Sequence, residues 1–379
     1  MRRDRTLAIS LLLLLVSLAL GEHAYPATDA IAIGVHLPMS GERAAVGRII
    51  TNAVEMAVQQ VNQNGGIKGT PLRPVYEDSG GSADSAAAAA QKLIENRQVV
   101  AVVGELFSPF VLASRDSVEK AGVPYLTGGT SPRTTENSRW VFRVAASDAL
   151  LADLMARYVA EQLKLRKLAV LSSRVGVHNA RAELLVKVLH DKYGITPAVR
   201  ETWKPDDRDF SAQLAKVKAE PVQAIIALGE TAEAAAFLKQ AKAVTPDTLI
   251  IAHRDFGARS ALDEAGEAAD NVLIVTEYVP QFLDARRQEW AKAFRARYGA
   301  DPGIIGAQYY DAVLLLAAAM RTSGASRDQI KAGLEQLRAF PGMLGDYTFD
   351  AGRNGLHRFY VAKIIKGQPR LEATLDEAA

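Results

Sequence analysis

Short apolar runs rich in β-branched residues alternate with longer amphipathic segments from residue 30 onward. The run at 99–103, Val-Val-Ala-Val-Val, is continuously apolar, as expected of a strand that is buried on both faces of its sheet. The segment 44–63 carries apolar residues at helical spacing, and the Asn-Gly-Gly that follows it at 64–66 is typical of a helix end. This alternation predicts an α/β fold in which parallel sheets are flanked by helices.

The alternation runs through the chain twice, which predicts two Rossmann-like lobes of similar size. The first series of predicted elements has strands at 31–35, 72–76, 99–103 and 124–126 and helices at 44–63, 83–95 and 111–119. The second has strands at 168–171, 198–202, 222–228, 249–252 and 271–276 and helices at 150–163, 180–193, 210–218 and 232–243. Helices at 284–298 and 308–320 follow, and antiparallel edge strands at 347–349 and 359–365 complete the prediction.

The first 21 residues have the pattern of a secretory signal peptide. Residues 1–5 are basic, residues 7–20 are almost purely apolar, and Ala19 and Gly21 supply the small residues that signal peptidases require. The apolar run is short for a membrane span. We expect cleavage after residue 21, or as late as residue 27. The chain contains no Cys, so the lipid-attachment thiol of a bacterial lipoprotein is missing, and a soluble periplasmic product is predicted.

Composition narrows the possible partners. Removing residues 1–21 takes away three Arg and one Asp and leaves 42 basic and 42 acidic residues. Such a balanced surface gives no reason to expect nucleic acid as a partner. About 350 mature residues exceed one ordinary hydrophobic core, so two domains are expected. The absence of Cys also excludes disulfides, thiolate metal sites and Cys nucleophiles.

Motifs of common enzymes are missing from the sequence. There is no P-loop, no G-x-G-x-x-G after a strand, no G-x-S-x-G and no H-E-x-x-H. The six His residues are scattered, with no pair at metal-ligand spacing. His178 and His253 lie near predicted strand ends, where a role in a pocket is possible. For each of them a solvated loop histidine is the favoured interpretation. We therefore predict no catalytic residue, no cofactor and no metal.

Two turns after neighbouring strands of the first series are candidates for anion binding. Ser108 and Pro109 follow the strand at 99–103 and have the pattern of a helix N-cap with Pro at the first helical position. A helix N-terminus favours an anion such as a carboxylate. The next strand end carries Gly128, Gly129 and Thr130, which allow close backbone approach and offer a hydroxyl. An ordinary cap is the alternative for Ser108 alone, but two such turns together favour a carboxylate site.

Carboxylates follow two strands of the second series. Glu230 comes after the strand at 222–228, and Asp255 after the strand at 249–252. Either one could bind a ligand ammonium group. For Glu230, an acidic residue favoured by the helix dipole is an equally supported alternative. For Asp255, an ion pair with Arg254 is the alternative.

A series of short strings along the chain resembles one known family. They are Ile-Gly-Val-His-Leu-Pro-Met-Ser-Gly at 33–41, Val-Asn-Gln-Asn-Gly-Gly-Ile-Lys-Gly at 61–69, Gly-Val-Pro-Tyr at 122–125, Phe-Arg-Val at 142–144, Phe-Ser at 210–211 and Thr-Phe-Asp at 348–350. In order and spacing they resemble the periplasmic solute-binding proteins of ABC transporters, of the branched-chain amino-acid (Leu/Ile/Val)-binding type.

The resemblance implies a type I periplasmic binding fold with two lobes joined by three crossovers, expected near 145–147, 278–279 and 341–344. The implied domains are 28–145 plus 279–342 for lobe 1, and 146–278 plus 343–379 for lobe 2. Ser108 and Thr130, with the backbone of Gly128 and Gly129, match positions that bind a ligand α-carboxylate. Asp255 matches an acidic residue that binds the α-ammonium.

The sequence also departs from the family's pattern at positions that resemblance assigns to the ligand. Val175 stands before Gly176 where the family often has a Tyr whose ring packs on the ligand, and Ser172 replaces a usual acidic residue. Val46 stands where the amino-acid binders have a Tyr, and Glu230 where some members have an aromatic residue. The missing rings leave room for a bulkier, aromatic or non-amino-acid ligand.

The resemblance implies a function as well. We expect a monomeric extracytoplasmic receptor of an ABC importer that closes around an amino acid or a related organic or aromatic carboxylate and delivers it to an inner-membrane ABC permease. An exported ligand-sensing domain that feeds a signalling receptor would share every fold feature and is the alternative. An enzyme is not predicted.

Overall fold

The protein is built on two sheets whose strands share the same order. Its structure is a computed structural model that describes residues 30–282 and 284–377. The first sheet has the order β2-β1-β3-β4-β5 and is parallel throughout. Its strands are β1 (Ile31–Leu37), β2 (Leu72–Asp78), β3 (Val99–Gly104), β4 (Tyr125–Thr127) and β5 (Val141–Arg143). β1 and β3 are buried along almost their whole length, because helices cover both faces of a parallel sheet.

The second sheet repeats this order and extends it by two strands. Its order is β14-β13-β10-β9-β8-β6-β7. The five strands β6 to β10 are parallel to one another, and β13 is antiparallel to both of its neighbours, β10 and β14. The strands are β6 (Leu168–Ser173), β7 (Val199–Trp203), β8 (Ala224–Leu228), β9 (Leu249–His253), β10 (Leu273–Thr276), β13 (Arg358–Ile365) and β14 (Gln368–Asp376). The shared order 2-1-3-4-5 is the arrangement expected of two Rossmann-like units.

The helices connect the strands and cover both sheets. The α-helices of the described residues are α1 (Ala44–Gln63), α2 (Ala83–Glu95), α3 (Ser108–Ala121), α4 (Asp148–Arg157), α5 (Gly176–Tyr193), α6 (Ser211–Ala219), α7 (Thr231–Val244), α8 (Arg259–Ala265), α9 (Ala285–Tyr298), α10 (Gly303–Ser323) and α11 (Arg327–Gln336). A π-helical turn, Tyr158–Gln162, continues α4.

The chain passes between the two sheets three times. α4 follows β5 and packs on α5, beside the second sheet. After β10 the chain returns, because α9 and α10 pack on α1, and α11 packs on α10 and against β3. β13 and β14 then complete the second sheet. The residue bounds of the two predicted lobes stay a prediction, and the predicted signal peptide at 1–21 lies outside the described residues.

The prediction for the last strands is wrong. Residues 347–349 do not pair with 359–365. Instead β12 (Asp346–Tyr347) pairs with β11 (Phe340–Pro341), and β13 lies between β10 and β14. The strand β14 escaped prediction because it is an edge strand whose side chains are mostly exposed, so it lacks the apolar alternation that marks a strand in a sequence.

Among the described residues, α10 alone has the length and apolar composition of a membrane span. Its apolar window is 72% buried inside the protein. The helix packs on α1, α11 and β3, and Tyr309, Leu315 and Met320 are fully buried. Its apolar composition is therefore explained by its place in the core.

Candidate functional site

The two predicted anion-binding turns lie side by side at the carboxyl ends of β3 and β4. These strands are direct neighbours, with Gly104 paired to Thr127. Two hydrogen bonds to the carbonyl oxygen of Glu105 join the turns, one from Gly128 N at 3.1 Å and one from Thr127 Oγ1 at 2.7 Å. The sequence expectation that these strand ends form one site is therefore consistent with their geometry.

Ser108 does not cap its helix, so that part of the prediction is wrong. α3 begins at Ser108, and Phe107, in an extended conformation, occupies the N-cap position. The Ser108 hydroxyl oxygen instead accepts a hydrogen bond from Ser131 N at 3.1 Å. A serine hydroxyl has one proton and two lone pairs, so Ser108 can still donate to a ligand while it holds the neighbouring turn.

The glycines at the end of β4 are required by close packing. A Cβ on Gly128 would lie 2.1 Å from Gln308 Nε2 and 2.8 Å from the Tyr309 hydroxyl, both on α10. A Cβ on Gly129 would lie 2.9 Å from Thr134 Cγ2. Gly128 therefore lets α10 approach the strand end, and Gly129 lets the turn pack closely on Thr134. Both glycines are buried, and their N–H groups donate to Glu105 O and Thr127 Oγ1.

Thr130 connects this strand end to the second sheet through Asp148. The Thr130 hydroxyl donates to Asp148 Oδ2 at 3.0 Å, and Asp148 N donates to the Thr130 carbonyl at 2.9 Å. Asp148 Oδ1 accepts from Arg181 Nε at 2.7 Å. Asp148 opens α4 after the first crossover, and Arg181 lies on α5, so a buried hydrogen-bonded path runs from one sheet to the other.

Two histidines and two carboxylates meet at the carboxyl ends of the second sheet. His178 Nε2 lies 2.9 Å from Glu230 Oε1, and His253 Nδ1 lies 2.8 Å from Asp255 Oδ2. The two imidazole rings are 6.3 Å apart between centroids. We call His178, Glu230, His253 and Asp255 the His–carboxylate cluster. It unites both carboxylates that the sequence singled out.

The expectation of solvated loop histidines is wrong. His178 is 2% exposed and His253 is 1% exposed. α5 begins at Gly176 rather than at residue 180, which places His178 in its first turn. β9 extends one residue beyond the predicted strand and ends on His253. Both rings are consequently held against the sheet instead of in a loop.

Burial and charge fix the protonation states of one histidine–carboxylate pair. Burial, with the nearby positive charge of Arg181, lowers the pKa of His253 to about 3. Burial by itself would raise the pKa of Asp255, but the hydrogen bond with His253 and the charge of Arg254 hold that pKa below its ordinary value. At neutral pH the pair is therefore a neutral imidazole beside an ionised carboxylate.

The sequence left one alternative open for each carboxylate: an ion pair with Arg254 for Asp255, and a helix-terminal position for Glu230. The structure excludes the first and shows the second. Asp255 lies in a short 3₁₀ helix, Arg254–Gly257, and pairs with His253. Arg254 makes its ion pair with Glu277 instead. Glu230 is at the N-cap of α7, and its N–H donates to Glu233 Oε2 at 3.0 Å. Glu230 thus combines a helix-terminal position with a side-chain contact to His178.

Val175 is the N-cap of α5 and is partly buried. It lies three residues before His178, so the first turn of α5 carries a buried imidazole on the stretch where the family pattern has a Tyr. Polar groups therefore occupy this part of the site. Sequence reasoning missed Asp148 and Arg181, although the spacing of His178 and Arg181 at i and i+3 on one helix face was a usable signal.

A cavity of about 330 Å³ opens beside Asp255. Its polar end is formed by Thr231, Arg254 and Asp255, and Ile274 and Ile364 contribute to its apolar part. Ser108 and Thr130 are not among the residues that line it. The cavity is therefore separate from the two predicted anion-binding turns.

Comparison with known proteins gives consistent matches over most of the chain. A family model described as periplasmic binding protein matches residues 30–369. The Leucine-, isoleucine-, valine-, threonine-, and alanine-binding protein of Pseudomonas aeruginosa is 27% identical over 328 residues, which cover 86% of this chain and 87% of that protein.

Solved structures agree with the described fold. The branched-chain amino acid transporter substrate-binding protein of Streptococcus pneumoniae, in complex with isoleucine, is 27% identical, with a TM-score of 0.74 and coverage of 92% of this chain and 99% of that one. A leucine-binding protein of Thermotoga maritima is 25% identical, with a TM-score of 0.75 and the same coverages. These structures confirm the predicted fold class.

Proposed function

The chain belongs to the periplasmic binding protein family, and we propose that it is the solute-binding receptor of an ABC importer, which captures an amino acid or a related small carboxylate between its two lobes. The observation that supports this most directly is the path Thr130–Asp148–Arg181, in which groups from the two sheets are within hydrogen-bonding distance of one another. The strand end that carries Thr130 is thus joined to the helix of the second sheet that carries His178.

Each predicted residue has a definite part in this proposal. Ser108 donates its free hydroxyl proton to the ligand carboxylate, assisted by the N-terminus of α3. The backbone N–H groups of Gly128, Gly129 and Ser131 are donated within the protein and hold the turn in place. Asp255, ionised at neutral pH, accepts from a ligand ammonium. The Thr130 hydroxyl is already committed to Asp148, so its part is to position the turn. Gly128 admits α10, and Val175 and Glu230 border the remaining space.

The His–carboxylate cluster bears on the choice of solute. Amino-acid binders that take a leucine side chain need an apolar surface for it, because unsatisfied polar groups oppose the burial of an aliphatic chain. Here His178, Glu230 and Asp255 supply polar groups in the region of the second sheet. We therefore place a polar amino acid or a substituted carboxylic acid above the purely aliphatic amino acids.

Family membership implies a periplasmic location, and we propose that residues 1–21 are the export signal and that the mature monomer delivers its solute to an inner-membrane permease. The expected mature N-terminus is Glu22. Sequencing the N-terminus of periplasmic protein tests this, and retention of residues 1–21 would contradict it.

A thermal-shift panel of amino acids, aromatic acids and dicarboxylates tests the function. A ligand that binds only the native state at a hundred times its Kd stabilises the protein by about 2.7 kcal/mol. We expect one compound class to raise the Tm and to reduce the radius of gyration in solution scattering, since two lobes close around a ligand by hinge motion. Binding without turnover separates a receptor from an enzyme, and adjacent permease and ATPase genes separate a transporter from a sensor.

A further inference from the structure

We propose that His178, His253 and Asp255 bind a divalent transition-metal ion such as Zn²⁺ or Ni²⁺. One potential ligand atom of each residue lies within 4.8 Å of those of the other two. Imidazole nitrogen with a carboxylate oxygen is a donor set that suits these ions. The inference goes beyond the proposed function, and it is tested without solute because a metal ion on Asp255 would compete with a ligand ammonium group for that carboxylate.

The hydrogen bonds of His178 match those of a metal ligand. A metal-bound histidine almost always donates its second ring N–H to a carboxylate or carbonyl, which fixes the tautomer and the ring orientation. His178 Nε2 has Glu230 as this partner at 2.9 Å. His253 Nδ1 and Asp255 Oδ2 are two of the proposed ligand atoms and lie 2.8 Å apart, so the ion would replace the proton that they share. Two carboxylate–histidine pairs therefore converge on one small region from separate chain segments.

His178 retains a nitrogen without a partner. Its Nδ1 is buried and makes no hydrogen bond to any of the residues that the structure describes. With Nε2–H donated to Glu230, Nδ1 carries the lone pair. A buried acceptor that lacks a partner costs about 1–3 kcal/mol. A metal ion bound at this lone pair would remove that cost, which a purely structural histidine would leave in place.

The charges around the cluster favour a cation. Asp148, Glu230, Asp255 and Glu277 supply four negative charges, whereas Arg181 and Arg254 supply two positive ones through their pairs with Asp148 and Glu277. With neutral imidazoles, which metal binding requires, the region carries an excess of two negative charges. One divalent ion balances this excess.

The positions of the ligands permit coordination with small movements. Ligands at about 2.0–2.1 Å from a tetrahedral ion lie roughly 3.3 Å from each other. The ligand atoms lie within 4.8 Å of one another, so side-chain movements that shorten the larger separations by about 1.5 Å complete the coordination. His178 sits in the first turn of α5, and His253 ends β9, so rigid elements hold both rings. Glu230, whose side chain is 46% exposed, can move to a fourth position or yield it to water.

Calorimetry on the mature protein tests the site, with any affinity tag and chelator removed and no solute present. We expect one saturable site per chain for Zn²⁺ and for Ni²⁺. His178→Gln and His253→Gln should each weaken binding at least tenfold, since loss of even a supporting partner of a metal ligand costs 10–100-fold. His190→Gln is the matched control, because His190 also pairs with an aspartate, Asp191, but on the exposed surface. Its affinity should equal that of the parent.

X-ray absorption on the Zn²⁺-loaded parent gives a result that does not depend on the folding of variants. We expect the scattering of two imidazoles. A coordination shell without imidazole, the absence of a saturable site, or equal losses in His253→Gln and His190→Gln would overturn the proposal. Solute binding measured in EDTA separates the two proposals: a parent that binds a carboxylate there but takes up no metal refutes only the metal site.

Discussion

Arg181 donates from Nε to Oδ1 of Asp148 over 2.7 Å, and both residues are only 5% exposed. Asp148 also accepts from the Thr130 hydroxyl. Asp148, directly after the first crossover, is thereby bonded to a strand end of the first sheet and to a helix that packs on the second sheet. The pair joins the predicted first crossover at 145–147 to α5, so motion between the predicted lobes must either preserve these bonds or exchange them.

Replacing Asp148 should destabilise the protein strongly. In Asp148→Ala the Arg181 guanidinium stays buried without its partner, which typically costs about 3–5 kcal/mol. Guanidinium unfolding measures the change. Asp263→Ala, which removes the partner of Arg259 in an exposed i,i+4 pair, is the control and should leave the midpoint unchanged. Equal effects of the two substitutions would show that the buried path carries no special stability.

Ser108 should matter more for ligand affinity than Thr130. The Ser108 hydroxyl has a free proton to donate, whereas that of Thr130 is bonded to Asp148. Loss of a charge-assisted hydrogen bond costs about 1.5–3 kcal/mol, so Ser108→Ala should weaken carboxylate binding by roughly tenfold or more. Thr130→Ala should act less on affinity and more on stability. Calorimetry with the identified solute decides this, with the exposed Ser211→Ala as control, and the reverse ranking would contradict it.

Asp255→Asn should discriminate between solute classes. The substitution removes the negative charge that would pair with a ligand ammonium, while a simple carboxylic acid has no such group. Titrations in EDTA, which exclude any metal contribution, should show weaker binding of amino acids and little change for acids that lack an ammonium. A uniform loss across both classes would place the residue outside the ammonium contact.

Local patterns in the sequence predicted the strand ends well. The buried strands at 99–103 and 222–228 are continuous apolar runs, and the residues after them are necessarily at the edge where ligands bind in α/β sheets. Ser108, Gly128, Thr130, Glu230 and Asp255 were placed at this edge in this way, and their part in binding stays a prediction. The positions of these residues at the strand ends were therefore predictable from the period of the hydrophobic pattern and from the topology that this pattern predicts.

Contacts between distant segments could not be predicted in the same way. His178 and His253 are separated by 75 positions, and none of the short metal or catalytic motifs sought in the sequence spans that distance. Asp148 meets Arg181 only because α4 packs on α5. The burial of both histidines depended on helix and strand boundaries that differ from the predicted ones by a few residues, which is the least certain part of a sequence prediction.

Gly104 should tolerate no side chain. It ends β3, and a Cβ there would lie 2.1 Å from the His36 carbonyl oxygen, a backbone atom that cannot rotate away. Overpacking of this kind typically costs about 1–3 kcal/mol, so Gly104→Ala should lower the unfolding midpoint. Gly176→Ala is the matched control, because its Cβ would have no neighbour within 4 Å. Thermal melts compare the two, and an unchanged Tm for Gly104→Ala would contradict the packing of β1 on β3.

Asp311 should make stability depend on pH in the direction opposite to that of a surface carboxylate. It lies fully buried on α10 and accepts hydrogen bonds from Met343 N at 2.6 Å and Leu344 N at 2.8 Å, in the predicted third crossover. Burial raises its pKa from 3.8 to about 7. Between these two values the folded state holds a proton that the unfolded state has released, so this group stabilises the protein as the pH falls.

Asp311→Asn is neutral at every pH and lacks the effect. Acidification from pH 8 to pH 5 should therefore stabilise the parent relative to Asp311→Asn by about 2–3 kcal/mol, at roughly 1.4 kcal/mol per pH unit below 7. The buried histidines titrate alike in both proteins and cancel in the difference. Guanidinium unfolding at pH 5, 6.5 and 8 measures it, and parallel pH profiles for the two proteins would mean that Asp311 is ionised throughout.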